Sequence, residues 1–161
     1  DIPALLRHAQ SERSISGFPG EAIESDTLLE QECDILIPAA LGGVITRDNA
    51  GNVRARMVVE AANSPITTIG DEILNERNIL VVPDILANAG GVTASYFEWV
   101  QNVQAFSWEE ERVNEQLEKY MLQAYQSVRS TMKERSARMR TAAFSIAIER
   151  VAKAEKIRGD L

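Results

Sequence analysis

Soft metal ligands are nearly missing: the chain holds one cysteine, Cys33, and one histidine, His8. A lone cysteine excludes a disulfide framework and suits a reducing compartment, so a cytoplasmic setting is expected. One cysteine and one histidine cannot complete a His/Cys zinc cage, and no metal site is expected. Positive charge is also short, with 17 Lys and Arg against 24 Asp and Glu, a net charge of −7. Such a chain lacks the basic footprint that follows a phosphate backbone, so nucleic acid is not an expected partner. Long apolar runs are missing as well. The longest, Ile35 to Ile45, is interrupted by Pro38, Gly42 and Gly43 and is too short to cross a bilayer, so no membrane partner is expected. No basic-then-apolar leader opens the chain. No G-x-G-x-x-G phosphate turn occurs anywhere in it.

What is present reads as one globular domain's worth of residues, 161 with 45% hydrophobic. The opening Asp1-Ile2-Pro3-Ala4-Leu5-Leu6 reads as the interior of something longer. Residues 3–9 fit a short helix with Pro3 in its first turn. Ser25-Asp26-Thr27 reads as a cap ahead of Leu28 and Leu29. Three short runs rich in β-branched and aliphatic residues follow: Cys33 to Ile37, Ala55 to Ala61 and Ile79 to Val82. The first is ended by Pro38 and reads as a strand buried on both faces; the last is ended by Pro83 and reads as a further buried strand. Gly70 to Glu76 reads as a helix between the second and third. Strands spaced by helix-length segments predict a parallel sheet.

Beyond residue 85 the pattern turns helical. Ala87 to Asn102 fits a helix once Gly90-Gly91 is passed. Trp108 to about Arg138 fits a long helix, with Val113, Leu117, Met121, Ala124, Val128 and Met132 on one buried stripe. The acidic run Glu109 to Glu111 suits its positive end. A final helix, Thr141 to Lys156, is expected to bury Phe144, Ile148 and Val151, with Gly159 as its stop. The fold class read from this order is α/β: the C-terminal half of a doubly wound parallel sheet, followed by long C-terminal helices. Residues 1–105 are assigned to the sheet domain and 106–161 to a helical tail.

Ligands of such sheets bind beyond the carboxyl ends of the strands. Those ends carry Pro38-Ala39-Ala40, Ala61-Ala62-Asn63 and Asp84 through Gly91. Small residues and amides there suit a flat ring that needs close backbone approach and a few placed donors and acceptors. The plain alternative is that these are ordinary strand-to-helix turns. His8 reads as a solvated helix residue and Cys33 as a small hydrophobe. Neither belongs to a Ser-His-Asp or Cys-His set.

The stretch from Pro83 to Trp99 (Pro-Asp-Ile-Leu-Ala-Asn-Ala-Gly-Gly-Val-Thr-Ala-Ser-Tyr-Phe-Glu-Trp) closely resembles the signature of the glutamate dehydrogenase cofactor domain. Cys33 to Ala40 and Val59 to Pro65 resemble the strands before it, and Met139 to Phe144 resembles the start of the family's last helix. The likeness runs from Asp1 to Gly159. It implies NAD or NADP as cofactor, with Ala39, Ala40, Asn63, Asn88 and Gly90 on the cofactor side. It implies L-glutamate and 2-oxoglutarate as the substrate pair, with Val92 shaping the side-chain pocket and Ser95 holding the γ-carboxylate. It also implies that the phosphate turn and the catalytic lysine and aspartate lie on a missing N-terminal part of the same enzyme. On that basis the chain alone is expected to be inactive, and the complete enzyme to be a homohexamer. Two departures stand out: Ala61 and Ser64 occupy positions where the family commonly has glycine.

The residues leave two other readings open. One is a leucine, valine or phenylalanine dehydrogenase of the same family, which shares Asn-Ala-Gly-Gly-Val and diverges after it. The other is a non-catalytic α/β interaction module, since no complete catalytic set is present.

Overall fold

The computed structural model describes residues 1–21 and 23–159, with the side chain of Asp26 also outside the description. Three parallel strands, β1 (Ile35–Leu36), β2 (Met57–Val59) and β3 (Leu80–Val82), form one sheet in the order β1-β2-β3. The helices are α1 (Ile2–Glu12), α2 (Ser25–Leu28), α3 (Thr68–Glu76), α4 (Asp84–Ala87), α5 (Ala89–Gln104), α6 (Glu110–Arg135) and α7 (Met139–Arg158).

The three strands fall where the apolar runs predict them, but the paired segments are shorter. Backbone hydrogen bonds extend the pairing past the strand ends: Glu60 N–H donates to Val82 O at 3.0 Å, and Ala61 and Ala62 N–H both donate to Pro38 O, at 3.1 and 2.8 Å. This ties the three strand-end loops together. The central strand is the buried one, with Val58 fully enclosed. Cys33 and Leu36 pack on the core, whereas Ile35 and Ile37 stay 49% and 56% exposed. The expectation of a first strand buried on both faces is therefore corrected: β1 is an edge strand with one side uncovered. Leu80, on the other edge, is likewise exposed.

Two apolar clusters flank the sheet. One joins Ile45, Ala50, Val53, Ala55, Val58, Ile66 and Leu74, with Val81 against it. The other joins Leu86, Val128, Met139, Ala142 and Ala143, with Val82 against it. Adjacent residues of β3 thus serve opposite faces, as the two-residue period of a strand requires. The second cluster brings α6 and α7 back onto β3 and α4.

Several helix ends depart from expectation. Ser25-Asp26-Thr27 lie inside the short α2 rather than capping it, and Thr27 Oγ1 donates back to Glu24 O at 3.0 Å. Gly90 and Gly91 sit in the first turn of α5, not before it. A Cβ at Gly90 would stand 3.7 Å from Met121 Sδ and 3.8 Å from Leu117 Cδ1, ordinary contact distances, so this face of α5 lies against α6 without requiring glycine. The stripe of α6 is as read, with Val128 buried and its five partners half-buried. The helix stops at Ser136, whose φ of 48° is the left-handed conformation that commonly ends helices, so no Gly or Pro is needed.

The inward face of α7 is a correction. Met139, Ala142, Ala143 and Ile146 pack inward. Phe144, Ile148 and Val151 are 44%, 64% and 62% exposed. Apolar residues surround the start of this helix, so spacing alone cannot choose the face. The two adjacent alanines permit the closer approach, and they win.

Candidate active-site cleft

The loop after β1 (Ala39–Gly43), the loop after β2 (Ala61–Pro65) and the start of α4 and α5 meet at the carboxyl edge of the sheet. Gly42 is essential to this meeting: a Cβ there would stand 2.9 Å from Asn63 O and 3.5 Å from Ser64 O. Gly43 N–H donates to Ser64 O at 2.9 Å. Ser64 itself has φ 47°, which explains why glycine is common at that position in the resembling sequences. Ala61, the other departure, has no such backbone demand.

A shallow cleft of ≈ 360 Å³ opens here, lined by Asn63, Asp84, Ile85, Asn88, Ala89, Val92 and Phe144. Asn88 Nδ2 donates to Asn63 Oδ1 at 3.0 Å, so the two amides are paired across it. This leaves Asn63 Nδ2 as a donor and Asn88 Oδ1 as an acceptor for a ligand. Val92, 76% exposed, and Phe144 supply an apolar wall. The predicted residues Asn63, Asn88 and Val92 are thus brought together. Ala39, Ala40, Gly90 and Ser95 do not line this cleft. Ala39 and Ala40 are exposed on the neighbouring loop, and Ser95 lies one turn along α5 from Val92 on the same exposed side. The Ser95 hydroxyl donates to Gly91 O at 3.1 Å.

Joined to the cleft through Asp84 is a charged cluster that local patterning missed. Glu60, fully buried, receives Arg140 Nη1 and Nη2 on its two oxygens, each at 2.8 Å. Arg140 also donates to Asp71 Oδ1, through Nε at 3.0 Å and Nη2 at 2.9 Å. Burial acts to lower the pKa of Arg140, but hydrogen bonds to Glu60 and Asp71 outweigh it, and the net shift is upward. A raised pKa gives stability that is fully present below the ordinary arginine value and lost only above it, so Arg140 adds no pH dependence near neutrality. Removing one partner would strand a buried charge and cost about 3–5 kcal/mol. The sequence signal was Glu60 inside the apolar run Val58-Val59-Glu60-Ala61-Ala62, since a charge there needs a partner. That partner is 80 positions away, at the start of α7.

Cys33 packs on the core as a small hydrophobe, as read, whereas His8 is half-buried in α1 rather than solvated. His8 Nε2 lies 3.0 Å from Ser16 O, and the ring meets Phe18 edge-on. Among the described residues no helix is long and apolar enough to cross a membrane.

An open parallel sheet with amides and small residues gathered beyond its carboxyl ends places the chain in the doubly wound class of α/β domains. Residues 1–159 match the family of glutamate, leucine, phenylalanine and valine dehydrogenases, and the chain belongs to that family. It is 47% identical over 159 residues to a Bacillus subtilis protein described as the cryptic catabolic NAD-specific glutamate dehydrogenase GudB. The match covers 99% of this chain and 37% of that relative, so the chain spans little more than a third of its length. Among solved structures, the hetero-hexameric glutamate dehydrogenase of Thermus thermophilus in a leucine-bound form superposes with a TM-score of 0.90 at 30% identity, covering 98% of this chain and 37% of that one. The glutamate dehydrogenase of Peptoniphilus asaccharolyticus gives 0.79 at 36% identity, over 99% and 35%.

Proposed function

We propose that these 161 residues serve as the C-terminal part of the cofactor domain, with its helical tail, in an NAD-dependent glutamate dehydrogenase. The reaction is the oxidative deamination of L-glutamate to 2-oxoglutarate and ammonia. The observation that carries this reading is the Asn63–Asn88 pair at 3.0 Å, held over a cleft walled by Val92 and Phe144. An amide pair beside an apolar wall fits the nicotinamide half of the cofactor, which combines a flat ring, a carboxamide and ribose hydroxyls. When bound, that group supplies the hydride acceptor. The chain's own residues hold and orient: Asn63 and Asn88 donate to and accept from the polar edge, with Ala39 and Ala40 offering backbone from the neighbouring loop, while Gly90, turned toward α6, takes no part. Val92 and Phe144 keep water from the reacting face. The relative's description as NAD-specific favours NAD over NADP.

Residues 1–105 form the sheet portion and 106–161 the tail that returns toward a substrate domain. The catalytic lysine and aspartate belong to that other domain, and this chain supplies no catalytic group. Alone it is expected to turn over no glutamate, and measurable turnover by the purified chain would contradict the division of labour. With its N-terminal part the enzyme is expected to be a soluble homohexamer of the cytoplasm.

Substrate choice is assigned to Val92 and Ser95. The Ser95 hydroxyl must leave Gly91 O to donate to the γ-carboxylate, exchanging a neutral bond for a charge-assisted one. Ser95→Val in the complete enzyme is expected to lower kcat/KM for glutamate about tenfold, with norvaline affected much less. Equal losses on both substrates would make Ser95 a helix-start residue only and withdraw the glutamate assignment from this site.

A further inference from the structure

The charged cluster joined to the cleft has no part in the chemistry above, yet its connections lead to both amides. Glu60, held by the Arg140 fork, is three residues before Asn63. Its Oε2 also accepts the Asp84 N–H at 2.8 Å and so fixes the first turn of α4. Asn88 ends that turn, its N–H donating to Asp84 O at 2.8 Å. Asp84 closes the circuit: its Oδ2 accepts the N–H of Ser64, next to Asn63, at 2.8 Å. Ser64 is in a left-handed conformation that a non-glycine residue keeps only when its surroundings hold it. A planar guanidinium gripping a fully buried carboxylate on both oxygens has one good geometry and transmits it rigidly.

We propose that Arg140, on the C-terminal helix, is a positioning residue. Acting through Glu60 and Asp84, it fixes the spacing of Asn63 and Asn88. The inference deepens the nicotinamide site and rests on that reading for its functional consequence. Seating of α7 thereby governs how the cofactor ring is presented.

The test uses the full chain with the pair Glu60→Gln and Arg140→Gln, which removes both buried charges while keeping an acceptor for the Asp84 N–H. Hydrogen exchange of the Ser64 amide and the Asn88 carboxamide is read by nitrogen-15 NMR. Both are expected to exchange about tenfold faster than in the parent, the equivalent of one lost hydrogen bond. The backbone amides of Val58 and Val81 should keep their parental protection, which a general loosening would not allow. Parental exchange at Ser64 and Asn88 in the folded variant overturns the proposal. If the pair does not fold, Asp84→Asn reads the last part of the same link, because one carbonyl oxygen cannot accept both the Ser64 N–H and the Ile85 N–H, which the two carboxylate oxygens take at 2.8 Å each. Unchanged exchange there overturns it equally. Titration with NAD, carried out on the complete enzyme with its phosphate turn in the parental and variant forms, separates the two ideas. Shifts at Asn63 and Asn88 in the parent, with about tenfold weaker binding by the variant, support both. No shifts in the parent, with accelerated exchange in the variant, overturn the nicotinamide reading and leave the strut. Shifts in the parent with unchanged exchange in the variant overturn the strut alone.

Discussion

Ser64 concentrates the tension between sequence and backbone in this chain. Its left-handed φ is tolerated because Asp84 accepts its N–H at 2.8 Å. Ser64→Gly relieves the backbone but frees the unfolded chain, so a net gain of roughly 0.5–1 kcal/mol is expected. A lower urea midpoint for that variant would mean that Asp84 needs the serine. Gly42 is the opposite case, since a methyl there would stand 2.9 Å from Asn63 O. Gly42→Ala is expected to destabilise by about 1–3 kcal/mol and to raise KM for cofactor in the complete enzyme. A parental KM would detach the Asn63 loop from the cofactor. Asn63 and Asn88 were legible because strand-end amides are local signals, whereas Val92 entered only through the family resemblance. Arg140 and Phe144 were not legible as site residues, because only the folding back of α7 brings them there. Gly90, read toward the cofactor, shows its bare face to Leu117 and Met121.

Helices α6 and α7 show where periodicity carries and where it fails. In α6 the polar residues are abundant enough to leave one apolar stripe, and spacing finds it. Leu117, half-buried on that stripe, should cost about 2 kcal/mol when cut to alanine, the low end for a core leucine. In α7 the apolar residues encircle the first turns, and the alanine face rather than the Phe144 face packs inward. Ile148→Ala is therefore expected to change the stability of the isolated chain by less than about 0.5 kcal/mol. A loss near that of Leu117→Ala would restore the Phe144–Ile148–Val151 face as the buried one. The strands were found in place, but not their incomplete burial, because an apolar run does not reveal which strand lies at an edge.

The molecule as a whole is a sheet between two apolar clusters with its carboxyl edge tied to α7. Arg140 and Glu60 join the last helix to the end of the central strand, and Asp84 passes that constraint to the loops of the cleft. Open apolar surface remains on β1 at Ile35 and Ile37 and on α5 at Val92, Trp99 and Val103. Such area fits a chain that spans 37% of its Bacillus subtilis relative. The functional proposal depends above all on the amide pair over the cleft presenting the nicotinamide ring. It is tested most directly by kcat/KM for NAD in the complete enzyme carrying Asn88→Ala, measured at saturating glutamate. Loss of one placed hydrogen bond is worth about 1–3 kcal/mol, so a fall of about ten- to a hundredfold is expected with the parental unfolding midpoint retained. A kcat/KM for NAD equal to the parent's would remove Asn88 from the cofactor site and leave the amide pair as loop structure only.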